Sequence, residues 1–222
     1  RAQGNLPAAL DAYQASLAIR ERLAKADPGN AGWQRDLSVS HDRIGDVLRA
    51  QGNLPAALDA YQASLAIAER LAKADPGNAG WQRDLSVSQE KIGDVLRAQG
   101  NLPAALDAYQ ASLAIRERLA KADPGNAGWQ RDLALSFGRV AAIEAQQGER
   151  QRALGALQRG REIIARLGKA APDNATLPRD LAWLDSQIAS LLAGNADTIS
   201  AEPLPAAPAA KNRGWISRLL GR

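Results

Sequence analysis

Carboxylates and guanidinium groups are the plentiful side chains able to do chemistry in this chain, beside one imidazole. There is no Cys, which excludes disulfides, thiol nucleophiles and Cys-ligated zinc. A lone histidine, His41, cannot build a multi-histidine metal site. The Arg and Asp residues recur as fixed pairs: Arg35-Asp36, Arg83-Asp84 and Arg131-Asp132. Such repetition suits first-turn residues at the positive end of a helix dipole better than one tuned acid–base site. The stretches G-N-L-P-A and D-P-G-N read as turns, not phosphate loops. Trp33, Trp81 and Trp129 recur in step with these pairs and read as packing residues. A base-stacking surface would interleave them with basic residues, and their neighbours are Gln, Gly and Ala. The expectation is a protein with no catalytic residue, no metal and no cofactor.

These groups recur because the sequence does. Arg49 to Leu96 repeats Arg1 to Leu48 at all but four positions: Arg20 becomes Ala68, and His41-Asp42-Arg43 becomes Gln89-Glu90-Lys91. A third copy starts at Arg97 and diverges after Leu133. A fourth, altered copy keeps register from about Ala145, with Gly148 answering Gly100 and Arg179-Asp180 answering Arg131-Asp132. A fixed period of this length marks stacked supersecondary units, and such arrays present surfaces more often than catalytic pockets. The net charge of +4 is mild, and the segment from Gly194 onward carries half of it, so the array is close to neutral. No apolar run approaches the roughly 20 residues that span a bilayer, and RAQGN is no signal peptide, so a cytoplasmic location is expected. The lack of Met suggests a processed fragment with further sequence upstream.

Each unit reads as two helices. Trp33, Leu37, Ser40, Ile44, Val47 and Leu48 recur at spacings of three and four and share one face. Asn30 suits the N-cap, and Asp27-Pro28-Gly29 breaks the preceding helix. After Gly52-Asn53, Pro55 falls in a helix's first turn, and Leu54, Ala57, Leu58, Tyr61, Leu65, Ala68 and Leu71 trace a second stripe. One hairpin cannot bury both stripes, so its neighbours must cover them. A last helix at about 178–193, with Leu181, Leu184, Ile188, Leu191 and Leu192 inward, reads as a cap.

Ile44-Gly45, Leu48, Gly52, Ala57 and Tyr61 follow the order and spacing of the tetratricopeptide repeat, and the chain resembles that family. Ile92-Gly93, Leu96, Gly100, Ala105 and Tyr109 do so again, and Gly4, Ala9 and Tyr13 fit the first copy. The last copy keeps Gly148 and Ala153 with Leu157 in the aromatic place. The family's Trp position holds His41, Gln89 and Phe137. The unit exceeds the usual 34 residues by about 14, which makes it a long-helix variant similar to kinesin light chains and bacterial arrays. The resemblance implies an all-α, right-handed solenoid of antiparallel helix hairpins over residues 1–193. It also implies that the first helices line a concave groove.

On that implied groove, Val39, Asp42, Asp46 and Arg49 face a ligand, with Val87, Glu90, Asp94 and Arg97 one unit on. Leu135, Gly138, Ala142 and Ala145, then Trp183, Ser186 and Ser190, continue the row. The expected groove is acidic with an Arg rim in its first half and apolar in its second. The expected function is a non-catalytic protein-interaction scaffold that binds a peptide or helix of a partner there. The alternative is a sensor, autoregulatory or oligomerisation module of a larger protein with an upstream effector domain. RNA binding ranks last, because no basic base-reading stripe exists. Residues 194–210 gather Pro203, Pro205 and Pro208 and read as a stiff linker. Residues 211–222 form a short basic amphipathic tail with Trp215, Ile216, Arg218 and Leu219 as contact residues. Its expected targets are the chain's own groove, a partner or, weakly, a membrane surface.

Overall fold

A computed structural model describes residues 5–195 and Ile199. Gly4, most of the 194–210 segment and the tail residues Trp215, Ile216, Arg218 and Leu219 lie outside the described residues. Those described form eight helices and no strand: α1 (Leu6–Ala26), α2 (Ala31–Ala50), α3 (Leu54–Ala74), α4 (Ala79–Ala98), α5 (Leu102–Ala122), α6 (Ala127–Gln146), α7 (Arg150–Ala170) and α8 (Leu177–Leu192). Each helix packs on the next, so the architecture is a helical solenoid. None of the described helices is long and apolar enough to cross a membrane.

Short-range chemistry sets the helix ends. The Asn30, Asn78 and Asn126 side chains accept from the Trp33, Trp81 and Trp129 backbone N–H, each at 3.1 Å. Asn5, Asn53 and Asn101 cap α1, α3 and α5 in the same way, each followed by a first-turn proline. The diverged fourth copy has lost this device, since Glu149 and Thr176 make no side-chain cap bond. Between the helices of a hairpin the chain reverses at Gly52, Gly100 and Gly148, with φ of 78°, 79° and 82°. That left-handed backbone favours glycine and closes a six-to-one bond from Asn53 N–H to the Leu48 carbonyl at 2.9 Å.

Burial of the second-helix stripe depends on which helices lie beside it. Tyr61 on α3 and Tyr109 on α5 are each 1 % exposed, sandwiched between first helices on both sides, whereas Tyr13 on α1 is 38 % exposed. Ile19 and Leu23 are exposed too, although their equivalents Ile67, Leu71, Ile115 and Leu119 are buried. The difference is positional: among the described residues, α1 packs against α2 alone, whereas α3 and α5 each have a first helix on both sides.

The large side chains of α6, α7 and α8 merge into one cluster that includes Phe137, Leu157, Ile164, Trp183, Leu184, Leu191 and Ile199. Ile199, the described residue beyond Asn195, is thus packed in the core. Trp33, Trp81 and Trp129 are half-buried, not enclosed between repeats as their periodicity suggests.

Candidate functional site

The first helices α2, α4, α6 and α8 form one layer, and polar side chains join each to the next. Near the helix starts the join is an Arg–Asp rung between residues 49 apart. Arg35 Nε donates to Asp84 at 2.5 Å, Arg83 Nε to Asp132 at 2.9 Å and Arg131 Nε to Asp180 at 2.5 Å. Arg35 and Arg131 bond through a second nitrogen as well, the bidentate geometry that suits guanidinium and carboxylate. This corrects the dipole reading of those pairs. Asp84 is the sixth residue of α4, beyond its first turn, and its partner belongs to the previous repeat. The rungs hold Arg35 and Arg131 more firmly protonated than usual, chiefly through the hydrogen bonds to Asp84 and Asp180.

Further along the same helices lies the row of expected ligand contacts. Asp46 accepts from the Tyr61 hydroxyl at 2.8 Å and pairs with Lys91, whose ammonium sits 5.1 Å from the Tyr61 ring centre. Asp94 accepts from Tyr109 Oη at 2.6 Å and meets Arg49 at 3.3 Å. Glu90 is held by Arg116 at 2.5 Å and Arg139 at 3.1 Å. Burial first, then the neighbouring carboxylate, pushes both tyrosine hydroxyls far above their ordinary range, so they act as fixed donors.

The face is therefore not the free acidic strip that the sequence suggests. Asp46, Glu90 and Asp94 are neutralised from within, and Asp94 is buried. Val39 is 36 % exposed, the Arg49 side chain is exposed, and Asp42, Asp46, Val87, Glu90 and Arg97 are part-exposed. Leu135 and Trp183, expected as an apolar landing site, are buried at 8 % and 5 % exposure. The cause is steric. The Trp183 ring lies over α6 at Gly138, where an added Cβ would fall 2.2 Å from Cη2 of the indole. Leu135 joins the cluster containing Trp183 and Ile199, and Ala142 is fully buried.

Asp42 differs from its neighbours. Its Oδ1 is closed to water and accepts no hydrogen bond. Burial raises its carboxyl above the ordinary range, with Lys91 and the Ser64 hydroxyl opposing in part. Raising the folded-state value favours the protonated form in the fold. That contribution is fully present below the unfolded value, near 3.8, and is lost as pH rises through the folded value. Asp42→Asn is accordingly expected to raise the melting temperature at pH 7, with the advantage vanishing below about pH 4. Calorimetry across that range checks it, and a pH-independent difference would show that charge burial is not the cause. His41, half-buried beside α1, is lowered by burial against the pull of Glu21, which leaves a neutral imidazole at neutral pH.

Residues missed by sequence reading also shape the layer. Gln34, Gln82 and Gln130 each reach back to a carbonyl at the end of the previous second helix: Ala24 at 3.1 Å, Ala72 at 3.2 Å and Ala120 at 2.9 Å. They satisfy helix-terminal acceptors that would otherwise be orphaned. Their signal is the Trp-Gln dipeptide in the first turn of α2, α4 and α6. Among the described residues no three His, Asp or Glu side chains gather as a metal-ligand group.

Residues 36–118 match the family model of the tetratricopeptide repeat. No curated protein sequence matches the chain. The crystal structure of BtubC (BKLC) from P. vanneervenii superposes with a TM-score of 0.59 at 19 % identity, covering 92 % of this chain and 77 % of that one. A de novo designed helical repeat protein aligns at a TM-score of 0.37 and 13 % identity, over 87 % of this chain and 98 % of its own. The hairpins of this chain form a helical solenoid, and its residues 36–118, which hold the Ile-Gly, Gly and Ala-x-x-x-Tyr positions, match the tetratricopeptide repeat.

Proposed function

We propose that the chain is a protein-interaction scaffold without a catalytic step, and that a partner's peptide or helix lies across the face of the first helices. The observation that carries this reading is the continuous first-helix layer. Its rungs and buried ion pairs fix side chains from successive repeats in one frame, while Val39, Asp42, Asp46, Arg49, Val87, Glu90 and Arg97 keep edges that a ligand can touch. Preorganisation of this kind lowers the ordering cost of binding. Because the ion pairs are internally balanced, the face selects by matching single groups along its length and not by bulk charge.

The test is a selection of peptides on the purified chain, followed by nuclear magnetic resonance mapping of the bound state. Shifts confined to α2, α4 and α6 are expected, with loss of binding in Val39→Arg and Val87→Arg. Shifts on the outward faces of α3 and α5, or binding unaffected by both variants, reject the site. A second reading, an oligomerisation module, draws on the open stripe of Tyr13, Ile19 and Leu23 on α1. Sedimentation of the chain against Tyr13→Asp separates it from the first. Contact of Trp215, Ile216, Arg218 and Leu219 with the groove or with a membrane surface remains part of the proposal. The burial of Leu135, Ala142 and Trp183 moves any such groove contact to the α2–α4 half.

A further inference from the structure

Two of the four positions at which the first two copies differ meet in space. In the second hairpin Arg116, itself buried, runs from α5 into the layer and ties α4 to α6. It binds Glu90 at 2.5 Å, Ser86 at 3.3 Å and Ser136 at 2.7 Å. One repeat earlier the equivalents are Ala68 for Arg116 and Asp42 for Glu90, in the same backbone frame. The serine contacts survive the loss of the guanidinium in another form. Ser64 Oγ takes its place between Ser38 at 2.8 Å and Ser88 at 3.3 Å. In the second hairpin the corresponding hydroxyl, Ser112, has no partner at all.

What the serine relay does not replace is the charge. Each carboxylate keeps one oxygen that accepts no hydrogen bond, Asp42 Oδ1 and Glu90 Oε2, but Glu90 has two guanidinium groups within ion-pair distance, whereas Asp42 has the Ser64 hydroxyl and the field of the Lys91 ammonium, which pairs with Asp46. Ala68 ends at Cβ and is 2 % exposed, so the side-chain volume that Arg116 fills one repeat on is not filled from α3. A buried acceptor left unsatisfied is costly, and a partner that satisfies it recovers that cost. Asp42 also retains a part-exposed edge on the first-helix face.

We propose that Asp42, released from an internal guanidinium by Ala68, is the receptor for a Lys or Arg side chain of the segment that lies on this face. The inference rests on the interaction reading above and names the ligand chemistry at one point of it. The cation supplied in the second hairpin by Arg116 is supplied here by the partner. Divergence at two positions of nearly identical copies thereby converts one structural ion pair into an addressable one, and gives the partner a fixed register on the array.

The probe is N-acetyl-arginine methylamide, with the uncharged isostere N-acetyl-citrulline methylamide as control, titrated into the whole chain and read at the Asp42 carboxyl carbon and the Ser64 and Ala68 amides. Saturable shifts are expected with the arginine probe alone. Ala68→Arg fills the site from within and weakens the probe by about tenfold or more, the scale of a charge-assisted hydrogen bond. Arg116→Ala is expected to open a second, equivalent response at Glu90. If Ala68→Arg does not fold, Asp42→Asn serves the same purpose, with loss of the response expected. Equal shifts with the citrulline probe, a response that persists in Ala68→Arg or Asp42→Asn, or none at Asp42 overturns the proposal. Peptides that map to the first-helix face without touching Asp42 would remove this inference and leave the interaction reading standing. A cation response at Asp42, with every selected peptide bound elsewhere, would do the reverse.

Discussion

Trp183→Ala is expected to destabilise the C-terminal hairpins by about 3–5 kcal/mol, the range for removing a large buried aromatic. The indole is 5 % exposed, covers Gly138 so closely that no Cβ fits there, and shares a cluster with Phe137, Leu184 and Leu191. Gly138 cannot fill the space, because its backbone is fixed within α6. Solenoid interfaces couple neighbours only, so the loss should localise. Amide exchange in α6 to α8 is expected to accelerate while α2 to α4 keep their protection. A uniform loss of protection along the chain would show cooperative unfolding, and no change would place the indole outside the core. Trp81→Ala, at a half-buried site, is expected to cost less.

The second large effect concerns the fit between a hairpin's two helices. A Cβ at Gly93 would lie 2.7 Å from the Tyr109 ring, and one at Gly45 would lie 2.5 Å from the Tyr61 ring. The ring cannot retreat, since Tyr109 Oη is anchored to Asp94 at 2.6 Å. Gly93→Ala is therefore expected to cost about 1–3 kcal/mol as an overpacked core change. The third hairpin holds the compensated version of this contact. Its register equivalents are Ala141 and Leu157, both fully buried, so a methyl group is added on one helix and the ring is removed from the other. Gly93→Ala with Tyr109→Leu is thus expected to recover much of the loss, although it leaves Asp94 without its tyrosine donor. Denaturant melts of the two single variants and the double variant measure the coupling. Additive losses would mean that the glycine is required for some other reason.

The helices, their ends and their stacking were legible because each rests on local chemistry repeated every 48 residues. The Asn caps, Pro at the first turn, Gly at the reversal and the apolar stripes lie within reach of one another along the chain. The tetratricopeptide spacing at Ile44, Gly45, Gly52, Ala57 and Tyr61 had the same local character. The chemistry of the first-helix face was not legible, because its partners sit one repeat away. Asp46 looked free beside Arg49, whereas its cation is Lys91 and the partner of Arg49 is Asp94, each 45 residues on. Offsets of 45 and 49 are the period less three and plus one, positions that share a side of neighbouring parallel helices. They become readable once the stacking is granted. Trp183 was misplaced for a related reason. The row of groove positions continues to α8 only where small residues are not met by a large one, and Gly138 is the gap that the indole enters.

The spacing of the inter-repeat ties also governs the mechanics of the array. The α2–α4 joint is pinned at its start by Arg35–Asp84 and towards its end by Lys91–Asp46 and Arg49–Asp94. The α4–α6 joint is pinned by Arg83–Asp132 at one end and by Arg139 on Glu90 further along. Two fastenings along parallel rods resist torsion as well as separation, whereas one fastening permits rotation about itself. At the α6–α8 joint the fastening by Arg131–Asp180 lies at the helix starts, and the far end of α6 presents Ala142 and Ala145, which carry no charge. Dispersion contacts there hold distance without fixing angle. The first two joints therefore carry a polar fastening at each end, whereas the last carries one at the helix starts and, further along, the Trp183 indole seated over Gly138.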